Sequence, residues 1–592
     1  MLQRAGRLAG GHWRVLVAAA VGAATLLAIG PLGLTDRYQN FVITTVAVFA
    51  IITLSVSELA GLSGIWSVGH MAFVAIGAYA TAYFSSRGLA LPLIALLAMG
   101  AAAAVGFGIG LTAGRFEVLY LAILTLALAL VGGEVIGRWD SVTGGDQGTP
   151  VTPFRIFGQL LRLDSIATVA VATATVVFVL VDLAARGRWG RRWLAIKNQR
   201  LAAISIGLNP TIENATAFGA SAALAALAGV LLALQIGYIS PDTFSLTNAI
   251  NFVVAAVVGG VGSIAGAVLG TAFIVVVPEA ARGAQDLQVI VFGVVTIAIL
   301  LFLPEGIAPG LVRRAAPLLG LRRRGTAPRG GPAGNGRDQP PGDLELPPVS
   351  RPSELTVESV TVSFGGLKAL EDVRLSIGPG QVVALIGPNG AGKTTFLNVL
   401  GGFVRPQKGA RARFGDTDLL RQGAQRRARS GMARTFQHAE LFSELPVLDT
   451  VVLAARARHR GSAAREAART TLEALRLTDH AGSLPGALPF GIQKRVDIAR
   501  ALATGPSLIV MDEPFSGLDL AEQQQLNQLI RAFRKAGVSV LLVDHAVQQV
   551  LSLADRVFVL DYGRIIAEGT PEEIRRSDAV KEAYFGSVAV TA

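Results

Sequence analysis

The chain has 592 residues, too many for one soluble domain of about 100–200. It is 52% hydrophobic and 16% charged, with a mean hydropathy of +0.52; soluble chains carry about 25% charged residues, so an all-soluble protein is excluded. The net charge of +12 is not a nucleic-acid footprint, because the basic residues sit in short loops between apolar runs and in one linker, and the absence of cysteine excludes disulfides and cysteine-ligated metals.

Met1 to Arg14 is basic and leads into an apolar stretch without an evident cleavage site, so 15–34 reads as a retained first span rather than a signal peptide. A crossing helix needs about 20 apolar residues. Further candidates lie near 38–61, 65–85, 89–113, 116–137, 165–185 and 213–236. The run 248–281 is too long for one span and contains Gly259, Gly260, Gly262 and Gly266, so it divides in two; a last span covers about 286–304. The expectation is a multi-pass helical membrane domain of about ten spans over 1–311.

Charge sets its orientation. The loop after the sixth span holds Arg186, Arg188, Arg191, Arg192, Lys197 and Arg200, with no acid between Leu183 and Ile212, and is expected in the cytoplasm. The loop 138–164 balances its charges and suits the outside. Counting spans from there places the N-terminus and the linker 312–353 inside. That linker carries Arg313, Arg314, Arg322, Arg323, Arg324 and Arg329 around a Pro/Gly-rich core, which reads as a solvated tether; its arginines are also suited to anionic membrane lipid. Ionisable groups inside spans are costly. Glu117 and Glu279 lie near span ends, where solvation suffices, while Glu58, His70 and Glu134 are candidates for a substrate path or for satisfied structural contacts.

Residues 354–592 read as a soluble α/β domain. A strand-like VVALIG runs into Gly387, Pro388, Asn389, Gly390, Ala391, Gly392, Lys393, Thr394 and Thr395, matching G-x-x-x-x-G-K-[ST]. Glycines let backbone N–H groups wrap phosphates, Lys393 reaches the β- and γ-phosphates, and Thr394 offers a hydroxyl to Mg²⁺. The apolar run 508–511 suits a strand buried on both faces. It ends at Asp512, expected near the metal, and Glu513, expected to activate the attacking water. A second strand, 538–544, ends at His545, expected near the γ-phosphate.

The order of these motifs resembles the ABC ATPase family, which implies ATP and Mg²⁺ as ligands. Gln437 of RTFQ resembles the Q-loop glutamine, which in that family links metal and water to the permease. LPFGIQKR (488–495) resembles the signature motif, with Leu488, Pro489, Phe490, Gly491 and Ile492 facing the partner's ATP; Asp519 of SGLD resembles the D-loop aspartate. Phe364, 29 residues before Lys393, stands where the family stacks an aromatic on adenine, and a core phenylalanine is the alternative. The signature departs from LSGGQ at Pro489, Phe490 and Ile492, which removes the serine hydroxyl and one hydrogen bond worth about 1.5–3 kcal/mol.

SGIWSVGHMAFVAIGAYATA (63–82), WDSVTGGDQG (139–148), GYISPDTF (237–244) and VVGGVGSIAGAVLG (257–270) resemble the permease of branched-chain amino-acid importers. FGGLKAL (364–370) and ADRVFVLDYGRIIAEGTPEEI (554–574) resemble their ATPase. The resemblance implies a fused permease and ATPase in a bacterial cytoplasmic membrane. It also implies a second permease, a second ATPase and an extracytoplasmic binding protein as partners. Importers of urea or short amides are the near alternative, and an exporter half-transporter the more distant one. Ile196–Leu208 occupies the place of the importer coupling loop, although Arg200 and Leu201 depart from its usual acid before Ala-Ala.

Overall fold

A computed structural model describes residues 19–29, 34–113, 118–156, 159–280, 288–318, 346 and 352–585. Most of the predicted linker, 319–345 and 347–351 with Arg322, Arg323, Arg324 and Arg329, lies outside the described residues, as do Glu117 and the whole N-terminal basic stretch 1–14. The chain divides into two compact units. One comprises Met1–Trp193 and Pro210–Arg323, the other Leu194–Asn209 and Arg324–Ala592.

The first unit is helical. Asp36 caps the helix Arg37–Glu58 reciprocally with Gln39: the Asp36 carboxylate accepts from Gln39 N at 2.7 Å, and Gln39 Oε1 accepts from Asp36 N at 3.1 Å. Pro210–Ile236 is the central helix, 78% buried, whereas Tyr120–Arg138 is 17% buried and faces outward. The central helix is rich in Ala and Gly because its neighbour approaches backbone to backbone. A Cβ on Gly77 of His70–Ser85 would strike the Ala226 carbonyl, and one on Gly229 would strike that of Val74. Such small-residue crossings are how helices pack tightly where lipid, not water, is the competitor.

Apolar helices stand at all ten expected positions. Among the described residues six are long and apolar enough to cross a membrane. A seventh is reached if Ile290–Phe302 and Ile307–Arg314, bent by 47°, act as one broken span. Ala19–Ile29, His70–Ser85 and Ile264–Ala280 are shorter over their described residues. Ile264–Ala280 has 17 residues, whereas Leu246–Gly259 reaches spanning length together with its lead-in turn, as Pro241–Gly259 of 19 residues. A glycine turn separates the two. Gly260 and Gly262 hold positive φ, and a Cβ on Gly266 would meet the Gly260 carbonyl. The run 248–281 is thus divided at the glycines, as its sequence predicts.

Two segments of the expected outer loops meet. Thr149 and Pro150 pair antiparallel with Ile239 and Tyr238. The following turn Pro241–Phe244 then starts the helix Leu246–Gly259, whose N-cap Ser245 accepts from Asn248 N.

The second unit is built on two sheets. Its six-stranded sheet runs Met432–Arg434, Leu508–Asp512, Ser539–Val543, Val382–Ile386, Arg556–Asp561, Arg564–Gly569; all neighbours are parallel except the last pair. Leu508–Asp512, Ser539–Val543 and Val382–Ile386 are buried throughout, which is why they read as unbroken apolar runs. A four-stranded antiparallel sheet led by Leu355–Phe364 and Leu367–Ile377 packs over the side of the sheet lined by Val383, Leu385, Val510 and Leu541.

Candidate functional site: a phosphate loop at the ends of parallel strands

The strand Val382–Ile386 lies inside the sheet, and the helix Lys393–Gly401 leaves from its carboxyl end. Residues 387–392 turn between them. Glycine is required here: Gly387, Gly390 and Gly392 have φ of 155°, 83° and 105°. A Cβ on Gly387 would collide with the Leu560 carbonyl, and one on Gly392 would lie 2.5 Å from the Ala369 carbonyl. A glycine turn entering a helix N-terminus is an anion-binding geometry. Lys393 Nζ donates to the carbonyls of Gly387 (2.6 Å) and Pro388 (2.8 Å). Burial pushes its pKa down, opposed by Glu513, Asp512 and Asp544. Thr394 is exposed on the first helical turn and Thr395 is half-buried.

The neighbouring strands deliver the acids to the same side. Leu508–Asp512 ends at Asp512, which is buried and accepts from Arg434 NH2 at 3.1 Å. Burial raises the Asp512 pKa, with Arg434 acting in the opposite direction. Glu513 follows in a left-handed conformation, φ 45°, with its N–H donating to Val543 O at 2.6 Å. A non-glycine residue in that region stores local strain, a feature that gathers at functional sites. Gln437 Nε2 donates to Glu513 Oε2 at 2.7 Å, and His545 Nδ1 lies 3.6 Å from the same oxygen. Gln437, Glu513 and His545, far apart in the chain, are therefore one cluster. Lys494 Nζ donates to the Glu513 and Pro514 carbonyls at 2.9 and 3.2 Å.

Mg²⁺ takes hard oxygen ligands and commonly one or two carboxylates together with phosphate oxygens. Thr394, Asp512 and Gln437 supply a hydroxyl, a carboxylate and an amide oxygen, and no three-residue His/Cys/Asp/Glu cluster among the described residues competes as a closed metal cage. The donor set fits a metal held jointly with a nucleotide.

The signature-like segment lies at the start of the helix Phe490–Leu502, with Pro489 as N-cap and no side-chain cap. Leu488 is buried, Phe490 exposed, and Ile492 packs against the core. A Cβ on Gly491 would strike the Glu522 carboxylate, and that carboxylate is fixed because it accepts from Asp519 N at 3.0 Å. Asp519 also caps the helix Leu520–Lys535, accepting from Glu522 N at 2.8 Å, so it has a structural task beside the one its motif implies. Phe364 ends its strand 54% exposed, which removes the alternative of a core phenylalanine.

In the membrane unit the candidates separate. His70 Nε2 meets Ser221 Oγ at 2.6 Å, and Ser221 Oγ donates to Ser55 O at 2.7 Å, a contact that ties three helices together. Glu58 is buried at the end of its helix, before a wide turn over Leu59–Ser63. Glu134 is exposed and pairs with Arg138 on the outward helix, away from the interior of this unit. Glu279 accepts from Tyr38 OH. Two further acids stand outside the sequence candidates: Glu213, buried and paired with Arg192, and Asp182, paired with Arg186 at 2.9 Å. Both sit in or beside the basic loop, and an acid facing a run of arginines was the available signal.

Comparison with known proteins gives three family matches. Residues 38–302 match the family described as branched-chain amino acid transport system / permease component. Residues 370–516 match the ABC transporter family, and residues 564–590 the branched-chain amino acid ATP-binding cassette transporter family. The high-affinity branched-chain amino acid transport ATP-binding protein LivG of Escherichia coli (strain K12) is 37% identical over 249 residues, covering 39% of this chain and 97% of LivG. BraF of Pseudomonas aeruginosa, of the same description, is 38% identical over 256 residues, covering 40% of this chain and 99% of BraF. The lipopolysaccharide export system ATP-binding protein LptB of E. coli (strain K12) is 34% identical over 234 residues, covering 39% of this chain and 97% of LptB. The chain belongs to the ABC transporter family, as a permease of the branched-chain amino-acid type fused in one polypeptide to its ATPase.

Proposed function

We propose that this chain imports branched-chain amino acids across a bacterial cytoplasmic membrane, driven by ATP hydrolysed in its C-terminal domain. The observation that carries the reading is the permease match over 38–302 in the same polypeptide as a complete set of nucleotide-site residues. The ATPase alone would not set direction, because relatives of similar identity include LptB, named for an export system. The permease supports import. The working division is a permease over 1–311, a linker over 312–353 whose first residues continue the helix Ile307–Leu318, and the ATPase over 354–592, with the ATPase in the cytoplasm.

In this reading Gly387–Thr395 cradles the phosphates through its backbone N–H groups, and Lys393 exchanges its carbonyl contacts for phosphate oxygens. Phe364 stacks on adenine. Thr394, Gln437 and Asp512 hold Mg²⁺, which when bound supplies charge neutralisation along the phosphates. Glu513 accepts the proton of the attacking water, Gln437 orients the Glu513 carboxylate, and His545 contacts the γ-phosphate. Leu488, Pro489, Phe490, Gly491 and Ile492 face ATP held by a partner ATPase.

Uptake in cells separates the substrates. Cells carrying the chain with its partners are expected to accumulate labelled leucine and valine, and cells lacking it to lose that uptake. Loss of urea uptake with leucine and valine unchanged would overturn the substrate and keep the importer.

The composite site also sets the assembly. Pro489 has no hydroxyl, so a symmetric pair of these chains would carry two altered signature motifs. A partner ATPase with an ordinary signature would complete the site formed by Lys393 and Glu513. We expect a hetero-assembly of this chain, a second permease and a second ATPase, serviced by a binding protein. Native mass spectrometry of the complex purified from membranes should give those masses; a homodimer that transports without any other subunit would contradict it.

A further inference from the structure

The helix Phe490–Leu502 carries Lys494, Asp497 and Arg500, every third residue and thus on one face, and all three are buried. Such charges stay buried only when paired. Their partners lie on three functional elements. Lys494 donates to the Glu513 carbonyl. Asp497 Oδ2 accepts from the backbone N–H of Phe436 at 3.1 Å, and Phe436 immediately precedes Gln437. Arg500 donates to Asp497 Oδ1 through Nε at 3.0 Å and NH2 at 2.5 Å. Its remaining nitrogen, NH1, donates to Ala202 O at 3.1 Å and Ser205 Oγ at 2.7 Å.

Ala202 and Ser205 belong to Leu194–Asn209, the insertion between two membrane helices that groups with the ATPase unit. Ala195, Ile196, Ala202, Ala203, Ile206 and Leu208 share one apolar core with the ATPase domain. That core gives adhesion without direction. Arg500 gives direction, because its planar fork engages the insertion on one edge and Asp497 on the other, and its guanidinium lies 5.5 Å from the Phe436 ring. A displacement of Phe436–Gln437 thus reaches Ala202–Ser205 through two side chains, both anchored on the helix that begins with the signature segment.

We propose that Asp497 and Arg500 are positioning residues that relay the state of Gln437 and Glu513 to Leu194–Asn209. The relay rests on ATP turnover at Glu513 and is independent of the solute carried, so failure of leucine uptake would leave it standing.

The chain has no cysteine, so Leu201→Cys, at a half-exposed position of the insertion, gives a single labelling site in the full chain assembled in membranes. An environment-sensitive fluorophore there is expected to change emission on ATP addition. Asp497→Leu with Arg500→Met replaces a buried pair by apolar side chains of similar size, a change that commonly preserves folding. It is expected to bind ATP as the parent does and to lose the emission change by about fivefold or more. Ser205→Ala, which leaves the buried pair intact, should lower the response by about twofold, and Asp497→Glu should retain most of it. The parental response in both the double variant and Ser205→Ala, a parent without a response, or losses that only follow lost ATP binding would overturn the relay.

Discussion

Replacing Glu513 with glutamine is expected to leave ATP bound and to slow its hydrolysis by about 10²–10⁴-fold, the usual contribution of a general base. The position is set by the backbone. Asp512 ends a strand buried on both sides, and Glu513 turns out of the sheet at φ 45° with its N–H held by Val543 O. Its carboxylate is then fixed by Gln437 at 2.7 Å. Glutamine has the same length and still offers an oxygen to the Gln437 amide, so the pocket keeps its shape. What is lost is the basic oxygen that takes the proton. The measurement is ATP turnover by the assembled complex in membranes, with nucleotide binding followed in parallel. Turnover near the parent's would remove Glu513 from the chemistry and return the role to His545, 3.6 Å away.

Lys393→Ala is expected to weaken ATP binding by about 10–150-fold. Hydrogen bonds to charged groups contribute about 1.5–3 kcal/mol each, and 1.4 kcal/mol is tenfold in affinity. In the structure the Lys393 ammonium is held at the loop by the Gly387 and Pro388 carbonyls. It is therefore positioned before any phosphate arrives, and little ordering is needed on binding. The loop's own geometry does not depend on the lysine, since the positive φ values belong to Gly387, Gly390 and Gly392. Alanine should thus leave a folded loop that has lost its cation. Displacement of a fluorescent nucleotide reads the affinity directly. A Kd within about threefold of the parent's would contradict the assignment, because that change corresponds to less than one such hydrogen bond.

The nucleotide site was legible in the sequence because its chemistry is local. Gly387 to Thr394 is a contiguous loop, and Asp512 and Glu513 follow a strand whose burial is written in four consecutive apolar residues. The ten apolar helices were legible for the same reason. The division of 248–281 was legible too, because Gly260 and Gly262, both at positive φ, turn the chain between Leu246–Gly259 and Ile264–Ala280. Glu134 and His70 looked equivalent as charged or polar residues within spans. One proves to be on the outward helix and the other beneath Ser221, a distinction made only by helix packing. Asp497 and Arg500 left the weakest trace. Charges spaced by three on a helix ordinarily mark a solvated face, and only the fold places these two between Phe436 and Ala202.

Vesicles reconstituted with the purified complex, its binding protein and labelled leucine on the binding-protein side test the central claim most directly. With ATP on the ATPase side, the account predicts that leucine accumulates in the ATPase-side compartment, and that Glu513→Gln in this chain abolishes accumulation while leaving ATP bound. Leucine moving the opposite way, or accumulating equally without ATP, would contradict it.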